Sequence, residues 1–156
     1  MATSVEDLES YLDRLGRRYE RVGDETLLIA FGPGQPPVAL RVAPPVALAQ
    51  AEIGPCPADS PETAAQCARL YRRLLELNAG GLVHAAYGIE KVASGDRIIL
   101  ASAVELANLD LNELEAVLAD LDIALAEHVP ELRRLVTPLP GDVQLDEEKP
   151  SGGTLH

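Results

Sequence analysis

Polar and apolar positions alternate along this chain in two distinct rhythms. Val5, Leu8, Leu12, Leu15 and Tyr19 recur at steps of three and four, behind a Ser4/Asp7 capping pair. That spacing predicts a first helix, with acids at its start and Arg14, Arg17 and Arg18 near its end, as the helix dipole favours. The rhythm then shortens. Gly16 and Gly23-Asp24 bracket a possible short strand, and Thr26 to Phe31 is a β-rich run closed by Gly32-Pro33-Gly34. A small repeat follows, in which Pro36-Pro37-Val38-Ala39-Leu40 returns as Pro44-Pro45-Val46-Ala47-Leu48. Each copy reads as a strand opened by a proline pair, where a missing N–H costs no ladder bond. A period of eight suits adjoining strands, not a solenoid.

Helical spacing returns after a Pro-rich loop, Gly54 to Asp59. Ser60 is placed to cap and Pro61 to occupy the first helical position. The stripe Ala64, Cys67, Leu70, Tyr71, Leu74, Leu75 and Asn78 predicts a second helix that stops at Gly80-Gly81. Leu82 to Ile89 and Arg97 to Val104 then read as a hairpin with its turn at Gly95-Asp96. A last helix opens at Asp110 and Glu113, with a seam of Leu114, Leu118, Leu121, Leu125, His128, Leu132 and Leu135. Pro130 lies inside it and predicts a break or kink near Val129. The order α-β-β-β-α-β-β-α, with strands clustered instead of alternating with helices, specifies the α+β class. The expected architecture is a twisted antiparallel sheet of about five strands packed by three helices. Residues 1–136 form the expected domain. Residues 137–156 lack periodicity and read as an acidic, disordered tail in which Leu139, Val143 and Leu145 leave room for a short docking segment.

Composition narrows the role more than it names one. The chain of 156 residues carries 25 acidic against 13 basic residues, a formal charge of −12 that repels a phosphate backbone and argues against direct nucleic-acid binding. The tail holds Asp142, Asp146, Glu147 and Glu148 against Lys149, a net −3, so −9 of the −12 belongs to the domain. No run reaches the length of a membrane span and the N-terminus lacks a signal-peptide pattern, so a cytoplasmic location is expected. Only five aromatics, Tyr11, Tyr19, Phe31, Tyr71 and Tyr87, leave Leu and Ala to fill the core.

Candidate chemistry is sparse. Cys56 and Cys67 are too few for a disulfide scaffold or a four-ligand zinc site, and the histidines at 84, 128 and 156 have no second His at metal-ligand spacing. No metal and no cofactor is expected. His84, in a predicted strand, and His128, in the last helix's seam, could serve a small-ligand binder or an enzyme as a base. A satisfied sheet or helix-end histidine is the ordinary reading of each. Gly32-Pro33-Gly34 follows a strand without opening a helix and lacks a Lys-Ser/Thr pair, so it is no phosphate loop. No catalytic residue is assigned.

Leu74-Leu75-Glu76-Leu77-Asn78, the strand ending Tyr87-Gly88-Ile89, the turn at Gly95-Asp96, Arg97-Ile98-Ile99-Leu100 and the run Leu109-Asp110 with Glu113-Leu114 resemble the YbjN proteins. They also resemble the CesT-type chaperones of type III secretion, over roughly residues 60–135. The aromatic frequent in the last helix of secretion chaperones is missing. The resemblance implies a type III secretion chaperone-like fold and a non-enzymatic cytosolic module, often dimeric, that binds a segment of one or a few partner proteins as a YbjN-like chaperone or adaptor. The alternative within the resemblance is a dedicated type III secretion chaperone for an effector. Strands with apolar residues on both faces leave surface that one helix layer cannot cover. Leu27, Ile29, Phe31, Val38, Leu40 and Val42 are the partner-binding candidates, and Cys67, Leu70, Tyr71 and Leu74 are the candidates for homodimer formation.

Overall fold

The structure, a computed structural model, describes residues 3–137. Three α-helices, α1 (Val5–Arg14), α2 (Ala64–Ala79) and α3 (Leu111–Val136), accompany six strands. The strands are β1 (Tyr19–Arg21), β2 (Thr26–Ile29), β3 (Val38–Ala43), β4 (Val46–Pro55), β5 (Ala86–Val92) and β6 (Gly95–Glu105). They form one antiparallel sheet in the order β1-β2-β3-β4-β6-β5. The fold is α+β with three helices, as expected; the sixth strand is the short Tyr19–Arg21 segment, which pairs with β2 from Tyr19↔Ile29 to Arg21↔Leu27.

Local chemistry explains the helix starts. Ser4 Oγ accepts from the Asp7 N–H at 3.2 Å while the Asp7 carboxylate accepts from the Ser4 N–H at 2.9 Å. Asp110 and Glu113 repeat that reciprocal arrangement at the start of α3. Helix α2 begins differently. Ser60 makes no side-chain cap bond, and a 3-10 turn at Pro61–Thr63 precedes the α-helix. The break expected near Val129 does not occur. Helix α3 runs through Pro130 to Val136, because Pro130 lies on the exposed side and the buried Leu125, Val129 and Leu132 hold both halves to one core.

Burial alternates along β2, β3, most of β4 and the middle of β6. Leu27 and Ile29 of β2, Val38, Leu40 and Val42 of β3, Ala47, Ala49, Ala51 and Ile53 of β4, and Ile98 and Leu100 of β6 all face one side and are buried. Helix α1 packs against β2, α3 crosses β4, and α2 lies beside α3 against β5. The helices therefore cover that one face. Arg17 ties the end of α1 to Asp122 of α3 at 2.7 Å and stacks over Phe31, whose ring centroid is 4.9 Å away. Arg73 of α2 grips Glu131 of α3 with two bonds of 2.6 and 3.1 Å. This second clamp holds the helix layer together.

Candidate partner-binding surface

Among the described residues, no helix covers the opposite face of the sheet. Pairing register writes its rows directly: Leu28, Ala39, Gln50, Ala101 and Ala86 lie side by side across five strands. Thr26, Arg41, Leu48 and Ala103 form the next row, and Glu52, Ile99 and Gly88 another. Small residues and a few branched ones make a smooth apolar floor. Polar groups bridge across it, with Arg97 donating to Glu52 at 2.6 Å and Gln50 to Glu90 at 3.1 Å. A cleft of about 690 Å³ opens on this face between the proline pair that precedes β3 and the strands β2 to β4, with Leu28, Ala39, Arg41 and Leu48 in its wall.

The proline repeat builds this face. Its two copies sit in neighbouring strands joined by the two-residue turn Pro44-Pro45, with Ala43 paired to Val46. Turning the chain back after Ala43 reverses the side to which equivalent positions point. Val38 and Leu40 of the first copy are buried, whereas Val46 and Leu48 of the second are half-buried on the open face and Ala47 takes the core position. The repeat is visible in the sequence, but which face each copy presents depends on its parity through the turn. That parity was the signal for Leu48.

The residues offered for partner binding lie elsewhere. Leu27, Ile29, Val38, Leu40 and Val42 are buried beneath the helices, and Phe31 is half-buried under Arg17. One layer of helices suffices for their face because Leu and Ala side chains pack close without large aromatics. Cys67, Leu70 and Leu74 are likewise buried, on the side of α2 turned inward, and of that group only Tyr71 is exposed. Leu75, on the outer side of α2, is 69% exposed.

Asn78 has a role that its place at the end of a helical stripe did not suggest. Its side-chain amide donates to the Tyr87 carbonyl at 3.1 Å and accepts from the Tyr87 N–H at 2.7 Å. It thereby satisfies the outward backbone groups of edge strand β5 as a neighbouring strand would. The hairpin turn itself falls at Ala93-Ser94, with Gly95 at φ +125°, a left-handed conformation suited to glycine.

The histidines occupy unconnected settings. His84 precedes β5 instead of lying in it; its backbone N–H donates to Asp120 at 2.9 Å and its side chain borders a shallow cleft of about 490 Å³ with Glu105, Asp110 and Glu113. His128 lies about two turns beyond Asp120 on α3, where its Nδ1 shares a hydrogen bond of 2.9 Å with the Tyr87 hydroxyl. Burial pushes the Tyr87 hydroxyl far above its ordinary value, so it stays protonated and bridges β5 to α3. Cys56 and Cys67 border a third cleft with Tyr71. Burial, with Asp96 and Cys67 adding, raises the Cys56 thiol and makes it a poor nucleophile at neutral pH. Among the described residues no three His, Cys, Asp or Glu side chains gather to hold a metal, and no helix is long and apolar enough to cross a membrane.

A six-stranded antiparallel sheet with three helices on one face and an apolar, helix-free opposite face defines a type III secretion chaperone-like protein. The sequence matches the CesT_Tir_1 family over residues 1–137, and the chain belongs to that family. Similar solved structures include a chain of the heterodimeric ExoU–SpcU complex from the type III secretion system of Pseudomonas aeruginosa. It is 20% identical with a TM-score of 0.56, over 85% of this chain and 99% of that one. YbjN from E. coli is 13% identical with a TM-score of 0.64, over 89% of this chain and 99% of that one. No curated protein matches the sequence.

Proposed function

We propose that this protein is a non-enzymatic chaperone or adaptor that holds a segment of one or a few partner proteins against the open face of its sheet. The observation that carries this reading is the asymmetry of the sheet, with Leu28, Ala39, Leu48, Ile99 and Ala101 on a face that no helix among the described residues covers. An extended segment can lie on that floor and add main-chain bonds at an edge strand. Membership of a chaperone family and likeness in fold to a chain of a heterodimeric complex support a protein as the ligand. A YbjN-like regulatory adaptor is preferred to a dedicated effector chaperone, since the seam of α3 carries His128 and Leu where secretion chaperones often place a large aromatic. An overall charge of −12 disfavours nucleic acid as the ligand.

The protein also pairs with a second copy, through the outer side of α2, where Leu75 and Tyr71 are exposed. Light scattering at micromolar concentration is expected to give twice the chain mass and Leu75→Glu to halve it; a mass near 17 kDa for the unaltered protein refutes the dimer. Capture from the native cytosol tests the main reading. A specific protein in near-stoichiometric amount is expected, and recovery of general chaperones alone contradicts it.

A further inference from the structure

We propose that the cleft on the open face is a docking site for this chain's own C-terminal segment, residues 138–156, which lies outside the described residues. The cleft is cationic on an acidic protein. Arg41 has no carboxylate partner among the described residues, and Arg133, at the cleft's margin, donates its Nη1 only to the Gly34 carbonyl at 3.0 Å. The acid bordering the same cleft, Glu52, is already engaged by Arg97 at 2.6 Å. Two guanidinium groups therefore stand beside an apolar floor of Leu28, Ala39 and Leu48 without a counter-charge from the described residues.

The segment that follows α3 has the complementary chemistry and the right starting point. Arg133 is four residues, about one helical turn, before Thr137. Gln66 of α2 holds that helix end by donating to the Leu135 carbonyl at 2.9 Å and the Thr137 carbonyl at 3.4 Å. The Arg133 side chain thus brings the last turn of α3 to the cleft's margin. Beyond it come Leu139, Val143 and Leu145 for the floor, and Asp142 and Asp146-Glu147-Glu148 for the arginines. Eight extended residues reach roughly 26 Å at ~3.3 Å each, whereas the wall from Pro37 to Arg41 is about half that length. Carboxylates can pair with either guanidinium in the two-bond geometry that makes such contacts selective. That a docked segment excludes an outside partner rests on the proposed function; the docking itself does not.

The test uses the full chain. Methyl and amide NMR spectra of the unaltered protein are compared with those of the Leu139→Ser/Val143→Ser/Leu145→Ser variant, whose changes lie outside the described fold. In the unaltered chain, residues 138–148 are expected away from random-coil shifts and the Leu28 and Leu48 methyls displaced, and the triple variant loses both effects. Arg41→Glu is expected to weaken docking, and adding Asp146→Arg/Glu147→Arg to restore part of it. Cleft methyls unchanged between the unaltered chain and the triple variant overturn the proposal. Cleft shifts that grow with protein concentration assign the cleft to a second copy and overturn it equally.

Discussion

The two faces of the sheet use the same small alphabet for opposite ends. The covered face sets Leu27, Ile29, Leu40, Ile98 and Leu100 against three helices, all at 1% exposure or less. The open face sets Leu28, Leu48 and Ile99 among alanines, an arginine and bridged carboxylates, with no helix of the described residues above it. Apolar area removed from water stabilises a fold by about 25 cal/mol per Å², so the covered face carries the stability. Equivalent area left half-exposed stabilises correspondingly less until a partner covers it. The comparison teaches that hydrophobic content alone does not separate core from binding surface in an aromatic-poor sheet. Which residues share a face with a helix does.

The repeat supplies the sharpest way to break this comparison, because Leu40 and Leu48 occupy the same repeat position on opposite faces. Leu40→Ala is expected to cost about 2–5 kcal/mol in urea unfolding, the range for truncating a buried Leu. Leu48→Ala is expected to cost less than about 1 kcal/mol. Equal losses would show that the open face is closed by structure outside the described residues or by a stable partner copy.

The edge comes next in size. Asn78→Ala removes both partners of the Tyr87 backbone groups, and an unsatisfied buried pair costs about 1–3 kcal/mol. It also exposes β5 to strand pairing, so light scattering should report higher oligomers at rising concentration. A variant that is destabilised but remains unchanged in mass would assign Asn78 to stability alone.

The smallest effect concerns the clamp that keeps the helix layer on its face. The Arg73 guanidinium hydrogen-bonded to Glu131 holds that carboxyl below its ordinary value of 4.5. A lowered folded-state value means the stabilisation is complete above the ordinary carboxylate range and is lost as pH falls through the lowered value. Glu131→Gln is expected to cost roughly 0.5–1 kcal/mol at neutral pH, since both partners are about one-third exposed. Unfolding curves of the two proteins should converge in acid; a gap that persists there assigns the loss to packing.

Much of the fold was legible in the sequence. Both capping boxes, the proline-opened strands and the seam of α3 rest on local patterns of a few residues, and local patterns survive folding. Pro130 does not break α3 because the proline rule concerns one backbone bond, whereas Leu125, Val129 and Leu132 act together across it. Strand β1 was legible only as a possibility, since Tyr19 to Arg21 has no periodicity of its own and depends on pairing with β2. The surface was hardest to read. Leu27 and Leu28 look alike in a list of apolar residues, and only the register and the position of α1 separate them. Asn78 was invisible as an edge cover, because its partner lies nine residues on and across a turn.

The central claim is that the open face, not the helical surface, receives the partner. Leu48→Glu places a charge on that face, and Ile123→Glu places the same charge on α3, where Ile123 is 58% exposed. Quantitative capture from the native cytosol, with melting temperature recorded for each variant, compares them directly. The near-stoichiometric partner is expected to be lost from Leu48→Glu and retained by Ile123→Glu, with both variants melting close to the unaltered protein. Retention by Leu48→Glu with loss from Ile123→Glu would contradict the claim.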